Sequence, residues 1–153
     1  MAPAPSPFHQ RSVGQLFKFL DDWVQHHHLG EVFVTLIDMV LAPHRSTQPD
    51  VVFIATDRLE IVQEQIRGPA DLVAEVISPT SRRRDRIDKR DLYEQHGVKE
   101  YWLIDPEAET VEVLFLQSGQ YRLLGRWRPG GAAGSRLLKG FSVPVDKVFK
   151  RED

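Results

Sequence analysis

Cysteine is absent from this sequence. That excludes a disulfide framework, a thiolate zinc site and a cysteine nucleophile. It also suits a reducing compartment, so a cytoplasmic location is the expectation. No apolar run approaches membrane-spanning length, and no membrane partner is expected. The opening segment Met1 to Pro7 lacks the charged start and apolar stretch of a secretory signal. A large excess of charge of one sign is missing too. The formal net charge is -2, so the protein does not coat nucleic acid by bulk charge, and any such contact needs a local patch. Arg82, Arg83, Arg84, Arg86, Lys89 and Arg90 form one candidate, diluted by Asp85, Asp88 and Asp91. Read alone, that segment is a solvated helix face laced with ion pairs.

What is present is 153 residues of ordinary soluble composition. One domain over residues 1–153 is expected, with its own core and no need of staples, residues 1–11 being an extended lead-in and 146–153 a tail. Pro3, Pro5 and Pro7 keep the lead-in from being helical. Ser12 can cap a first helix in which Val13, Leu16, Leu20 and Val24 recur at three- and four-residue spacing, ending near His28 with Gly30 as its stop. Residues 31–41 and 51–55 read as strands, 57–68 is ambiguous, and 71–78 is a clear strand ended by Pro79. Thr80 or Ser81 then caps a second helix that Gly97 terminates. Strand 99–104 follows, then a hairpin of 110–116 with 121–124 around Ser118 and Gly119. The Gly/Ala-rich stretch 129–135 lacks the Lys-Ser/Thr ending of a phosphate cradle and reads as a plain loop, with one last strand over 141–145.

Chemistry concentrates on strand 71–78. Side chains alternate faces, so Asp71, Val73, Glu75 and Ile77 share one side. Glu75 is a carboxylate among apolar neighbours, and an unpaired charge there would cost several kcal/mol. It needs a cation, and a metal is one solution. Asp50 opens the neighbouring strand after Pro49. Alone, that pair reads as a turn. Two carboxylates converging from adjacent strands, however, make the oxygen-lined pocket that magnesium prefers. On the second helix, Asp85, Lys89, Leu92 and His96 fall on one stripe with Tyr93 at its margin, which aims Lys89 at the sheet. Ile87 on the opposite face weakens this. The plainer reading is an Asp85–Lys89 surface pair worth ~0.3–0.5 kcal/mol. Together, two acids and an amine meet the needs of phosphodiester hydrolysis: carboxylates to hold a metal, and a cation to assist water or neutralise charge.

Pro49-Asp50 followed by Asp71-Leu72-Val73-Ala74-Glu75-Val76-Ile77-Ser78-Pro79 resembles the PD-(D/E)XK nuclease signature. The expected order of elements is also that superfamily's αβββαβ core. The series Ser81, Asp85, Lys89, Tyr93, Gly97-Val98 and Glu100 through Pro106 is similar to the Uma-type restriction-endonuclease family, first described as a domain of unknown function. The resemblance runs over nearly the whole chain from Pro5. It implies a restriction-endonuclease-like α/β fold: a mixed central sheet flanked by helices, here with an extra C-terminal hairpin. It further implies an endonuclease using Mg2+ or Mn2+ on DNA, with Asp50 and Glu75 as metal ligands and Lys89 as the catalytic amine. Asp71, Ser78, Asp85, His9 and Tyr93 are additional candidates. The parent signature puts its lysine two residues after the acid, where Ile77 stands, and the family resemblance moves that role to Lys89. The family's usual opening segment, with a Tyr-Glu and an Asp-Gly turn, is not seen here. If it supplies an acid or an edge strand, a weak or inactive site is expected, with Gln15, Asp21 and Asp22 as candidate replacements.

His26, His27 and His28 are adjacent, point in different directions and read as a polar helix end. Tyr101 and Trp102 read as core packing rather than base-stacking platforms. Competing with the nuclease is a non-catalytic module that keeps the fold and binds DNA or a protein. A homodimer is expected either way, since symmetric cuts in duplex DNA suit twofold enzymes.

Overall fold

The computed structural model describes residues 6–78 and 83–150. Thr80 and Ser81, the expected caps of the second helix, lie outside the described residues. The first helix, α1 (Pro7–His26), starts earlier than the sequence suggests. The Ser6 hydroxyl accepts the His9 amide at 3.1 Å, and Pro7 occupies the first helical turn. Proline's fixed φ and missing N–H suit that position. The expected extended lead-in through residue 11 is therefore corrected: helix begins at Pro7, and Ser12 is buried inside it instead of capping it. The stripe Val13, Leu16, Leu20 and Val24 is buried as its spacing requires.

Six strands form the main sheet, in the order β1 (Gly30–Val34), β4 (Val51–Ala55), β6 (Leu72–Val76), β7 (Glu100–Asp105), β8 (Thr110–Gln117), β9 (Gln120–Trp127). β6 and β7 run parallel and every other neighbouring pair is antiparallel, so the sheet is mixed. The parallel pair is bridged by the second helix, α2 (Arg83–His96), which stops at Gly97 with φ 84°. β8 and β9 are the expected hairpin. Ser118 and Gly119 both have positive φ, 52° and 77°, as a two-residue turn between twisted strands demands.

The expected continuous strand 31–41 is broken. β1 ends at Val34, and after a bend the chain resumes as β2 (Met39–Ala42), which leaves the main sheet for a small one with β3 (Arg45–Thr47) and β5 (Ile66–Arg67). There Met39 and Ile66 become fully buried. Hydrophobicity alone cannot show that one apolar run serves two sheets. The ambiguous segment 57–68 resolves into a 3-10 turn, Thr56–Ile61, followed by β5.

The C-terminal part is also more ordered than expected. The stretch that reads as a plain loop carries β10 (Ala132–Gly134), paired with β11 (Ser142–Pro144). The expected tail begins with a short helix, α3 (Val145–Phe149), whose Val145 and Val148 are buried. Those two valines, three apart, are the anchor that the short sequence window obscures.

Each face of the sheet has its own apolar layer. One joins α1, α3 and the even-numbered β6 residues Leu72, Ala74 and Val76 with Trp102 and Phe141. The other gathers Val52, Ile54, Val73, Tyr93, Tyr101 and Tyr121. α2 contributes only Tyr93 as a fully buried residue, and Ile87 is left exposed. Helices therefore flank both faces of a mixed sheet. No described helix is long and apolar enough to cross a membrane.

Candidate active site

Antiparallel pairing places Val51 opposite Ala74. Continuing that register by one residue sets Asp50 across from Glu75 on the face covered by α2. Directly opposed side chains of such a pair start ~4.5–5.5 Å apart at Cβ. Asp50 is pinned at both ends. Its carbonyl accepts the Thr35 amide and hydroxyl at 3.0 and 3.2 Å, and its carboxylate Oδ2 accepts the Val76 amide at 2.8 Å. The other oxygen, Oδ1, has His9 Nε2 at 3.4 Å, reaching over from the first turns of α1.

Glu75 is buried at 6% exposure, so the local question is what balances its charge. Lys89 donates to Oε1 at 2.9 Å. The Tyr101 hydroxyl donates to Oε2 at 2.8 Å, and the Tyr93 hydroxyl lies 3.4 Å from Oε1 and 3.1 Å from Thr47 Oγ1. The two phenol rings meet edge to face with centroids 5.1 Å apart. Burial, reinforced by the Glu75 charge, pushes both phenols far above the ordinary tyrosine value. Both hydroxyls are thereby favoured in the protonated, donating form. The Lys89 side chain, by contrast, is 44% exposed, so the ammonium sits at the boundary between the buried acid and solvent.

The structure joins Lys89 and Tyr93 to Glu75 and His9 to Asp50, and Asp50 in turn accepts the amide of Val76, the residue after Glu75. It does not join Asp71 to them. Four residues back along the same strand, ~13 Å at the usual rise, Asp71 accepts from Lys99 at 3.0 Å, Arg58 at 3.1 Å and the Ala55 amide at 2.8 Å. It latches the far ends of β4 and β6. Asp85 is exposed in the first turn of α2, without a described contact to either acid. Ser78 is half-buried just beyond β6. On α1, Asp21 accepts from Gln25 and Asp22 is exposed; neither they nor Gln15 contact Asp50 or Glu75 among the described residues.

Tyr101 has a part in the site that its sequence does not announce. It is core packing, as expected, but its hydroxyl also holds Glu75. The only available signal is its polar atom on a strand, and using it requires the parallel register that sets Val73 beside Tyr101. Thr47, which steadies Tyr93, sits on the small sheet and is equally hidden.

Can these residues take a divalent ion? Among the described residues, no three His, Asp or Glu groups gather as a ready-made cage. Magnesium does not need one, since it keeps several waters and commonly uses one or two carboxylates. Two hard-oxygen acids, Glu75 and the Asp50 carboxylate on the amide of the following residue, fit that demand.

A family model described as "Putative restriction endonuclease", Uma2, matches residues 1–146. Among solved structures, the chain is similar to one described as a "putative nuclease belonging to DUF820" from Anabaena variabilis ATCC 29413. The TM-score is 0.78 at 18% identity, covering 96% of this chain and 83% of that one. At that identity the likeness speaks for the fold. No curated protein matches. With its family match spanning all but the last residues, this chain belongs to the Uma2 family.

Proposed function

We propose that the protein is a metal-dependent endonuclease that hydrolyses DNA phosphodiester bonds at Asp50, Glu75 and Lys89. The observation that carries this reading is the buried Glu75 carboxylate held by the Lys89 ammonium, with the Asp50 carboxylate on the amide of the next residue, Val76. Asp50 Oδ1 and Glu75 would hold Mg2+ or Mn2+, with a carbonyl near Val76 completing the set. When bound, such an ion supplies Lewis-acid stabilisation of the phosphoryl oxygens and lowers the pKa of water. Lys89, at the solvent boundary, orients the attacking water or neutralises charge on the phosphate. Tyr101 and Tyr93 hold Glu75 in place by donating to it. His9 steadies the outer oxygen of Asp50. Membership of a family whose model is described as "Putative restriction endonuclease" supports DNA as substrate. A homodimer accounts for symmetric cutting of a duplex, and a light-scattering mass equal to the monomer would refute it.

The decisive experiment is cleavage of supercoiled plasmid with Mg2+ or Mn2+. Wild-type protein should nick and linearise it, and Glu75→Gln should lose at least about a hundredfold in rate, as removal of one electrostatic stabiliser does elsewhere. Intact plasmid under every metal, or equal cutting by the variant, sinks the proposal.

A second reading is favoured by one specific observation. Both Glu75 oxygens already have donors, so the acid is satisfied without an ion. That arrangement suits a non-catalytic module that retains the fold and binds DNA or a protein partner. Calorimetry separates the two: heat of Mn2+ binding that vanishes in Glu75→Gln supports the enzyme, and no heat supports the module.

A further inference from the structure

One strand beyond Glu75 the same sheet face opens into a groove of about 500 Å3 between α2 and strands β7 to β9. Its position follows from register. Glu75 pairs with Leu103, Leu103 with Glu112 and Glu112 with Arg126, so one row runs from the candidate active site across the groove floor. Neighbouring strands are ~4.8 Å apart, which puts the near edge of the floor beside Glu75.

The walls are cationic. Arg83, Arg86 and Arg90 line one side from α2, and Arg126 and Arg128 line the other. Two carboxylates, Asp105 and Glu112, also border it, but both are engaged locally. Asp105 accepts the amides of Glu107 and Ala108 in a turn, and Glu112 takes Arg126 at 2.6 and 3.0 Å. Arg83, Arg86, Arg90 and Arg128 make no ion pair among the described residues. Among the described residues, the ion pairs expected along this solvated helix face are not seen, and Arg82 lies outside them. Asp85, Asp88 and Asp91 do not line the groove; helical phase turns the arginine stripe inward and the acids elsewhere. Four such guanidinium groups converging on one hollow, in a chain of net charge -2, are a local anion site with geometry.

We infer that this groove holds the sugar-phosphate backbone of one DNA strand flanking the phosphodiester at Glu75, with Arg86 and Arg90 as its main contacts. This inference rests on the proposed nuclease reading for its choice of polyanion. Size agrees with it. From Arg83 to Arg90 the helix rises ~10 Å, long enough to meet more than one phosphate of a single strand. Ile77, Ile87 and Leu103 give the hollow apolar patches against which sugar faces can rest.

The test is fluorescence anisotropy of a labelled DNA duplex with full-length protein in metal-free buffer, over a range of salt concentrations. Arg86→Gln/Arg90→Gln should bind at least tenfold more weakly at low salt, and its log–log salt slope should flatten by about 2, roughly one for each phosphate left without its arginine. Arg122→Gln, an exposed charge outside the groove, should bind as wild type does. Unchanged thermal melting of the double variant shows that the effect is not misfolding, since both arginines lie at the surface. Binding and salt slope in the double variant equal to wild type would overturn the inference, and so would a wild-type protein that does not bind the duplex. Groove-dependent binding without plasmid cleavage would sink the catalytic proposal and leave the groove standing. Cleavage that is indifferent to the double substitution would do the reverse.

Discussion

Glu75 and Glu100 are buried glutamates on adjacent parallel strands, and they are satisfied by opposite means. Glu100, 0% exposed, accepts from Trp102 Nε1, the Ser135 hydroxyl and the backbone amides of Arg136 and Leu137. Those donors are fixed in the core or in the main chain. They join the loop before β11 to the sheet and leave no route to solvent. Glu75 has instead an ammonium on a half-exposed flexible side chain and two phenols. Burial of an acid therefore does not mark a reactive centre by itself.

The sharpest way to break this contrast is to neutralise each acid in turn. Glu75→Gln should abolish most plasmid cleavage while leaving the fold intact. Glu100→Gln should keep activity per folded molecule, yet lower unfolding free energy by about 1–3 kcal/mol, because its new amide faces two backbone donors; denaturant melts measure this. If the two variants exchange behaviour, the comparison is wrong.

Alkaline pH probes the phenols. All three tyrosines of the chain, Tyr93, Tyr101 and Tyr121, are raised above their ordinary value of 10.0, first by burial and then by Glu75 or, for Tyr121, Glu94. The unfolded chain loses these protons near pH 10 while the folded one keeps them. Their contribution is thus fully present below pH 10 and declines above it, by up to about 1.4 kcal/mol per pH unit for each tyrosine. Stability measured across pH 9 to 11.5 should be level and then fall. A profile that stays level above pH 10.5 would contradict the buried donor arrangement.

The smallest effect is expected for Tyr101→Phe. It removes one donor from Glu75 but leaves Lys89, so a loss of about 1–2 kcal/mol in stability is anticipated. Cleavage should fall modestly, with the deficit made up by raising the metal concentration. A purely packing role for Tyr101 would leave the metal dependence untouched.

Much of this arrangement is legible in the sequence where a single element suffices. The α1 stripe, the alternation that buries Glu75 and the helical phase that aims Lys89 at the sheet all follow from local periodicity. Asp50 is readable only with its partner, since a Pro-Asp pair alone is a turn. What local periodicity cannot reach is pairing between distant strands. Tyr101 meets Glu75 because β6 and β7 run in parallel in one particular register, and Met39 leaves the main sheet because another short sheet takes it. The early start of α1 at Pro7 and the helix at Val145 are obscured differently, by proline-rich composition in one case and by a five-residue span in the other.

The parallel pair β6–β7 carries one more consequence. Two neighbours running the same way need a return path, and α2 is that path, so the amine rides on the very connection the topology requires. Each helical residue advances the azimuth by about 100°. Inserting a single residue between Arg83 and Lys89 would swing the amine a quarter-turn relative to the helix start, and a whole added turn would restore the azimuth but displace it by ~5.4 Å along the axis. Acid and amine are therefore matched in both azimuth and height along the crossover.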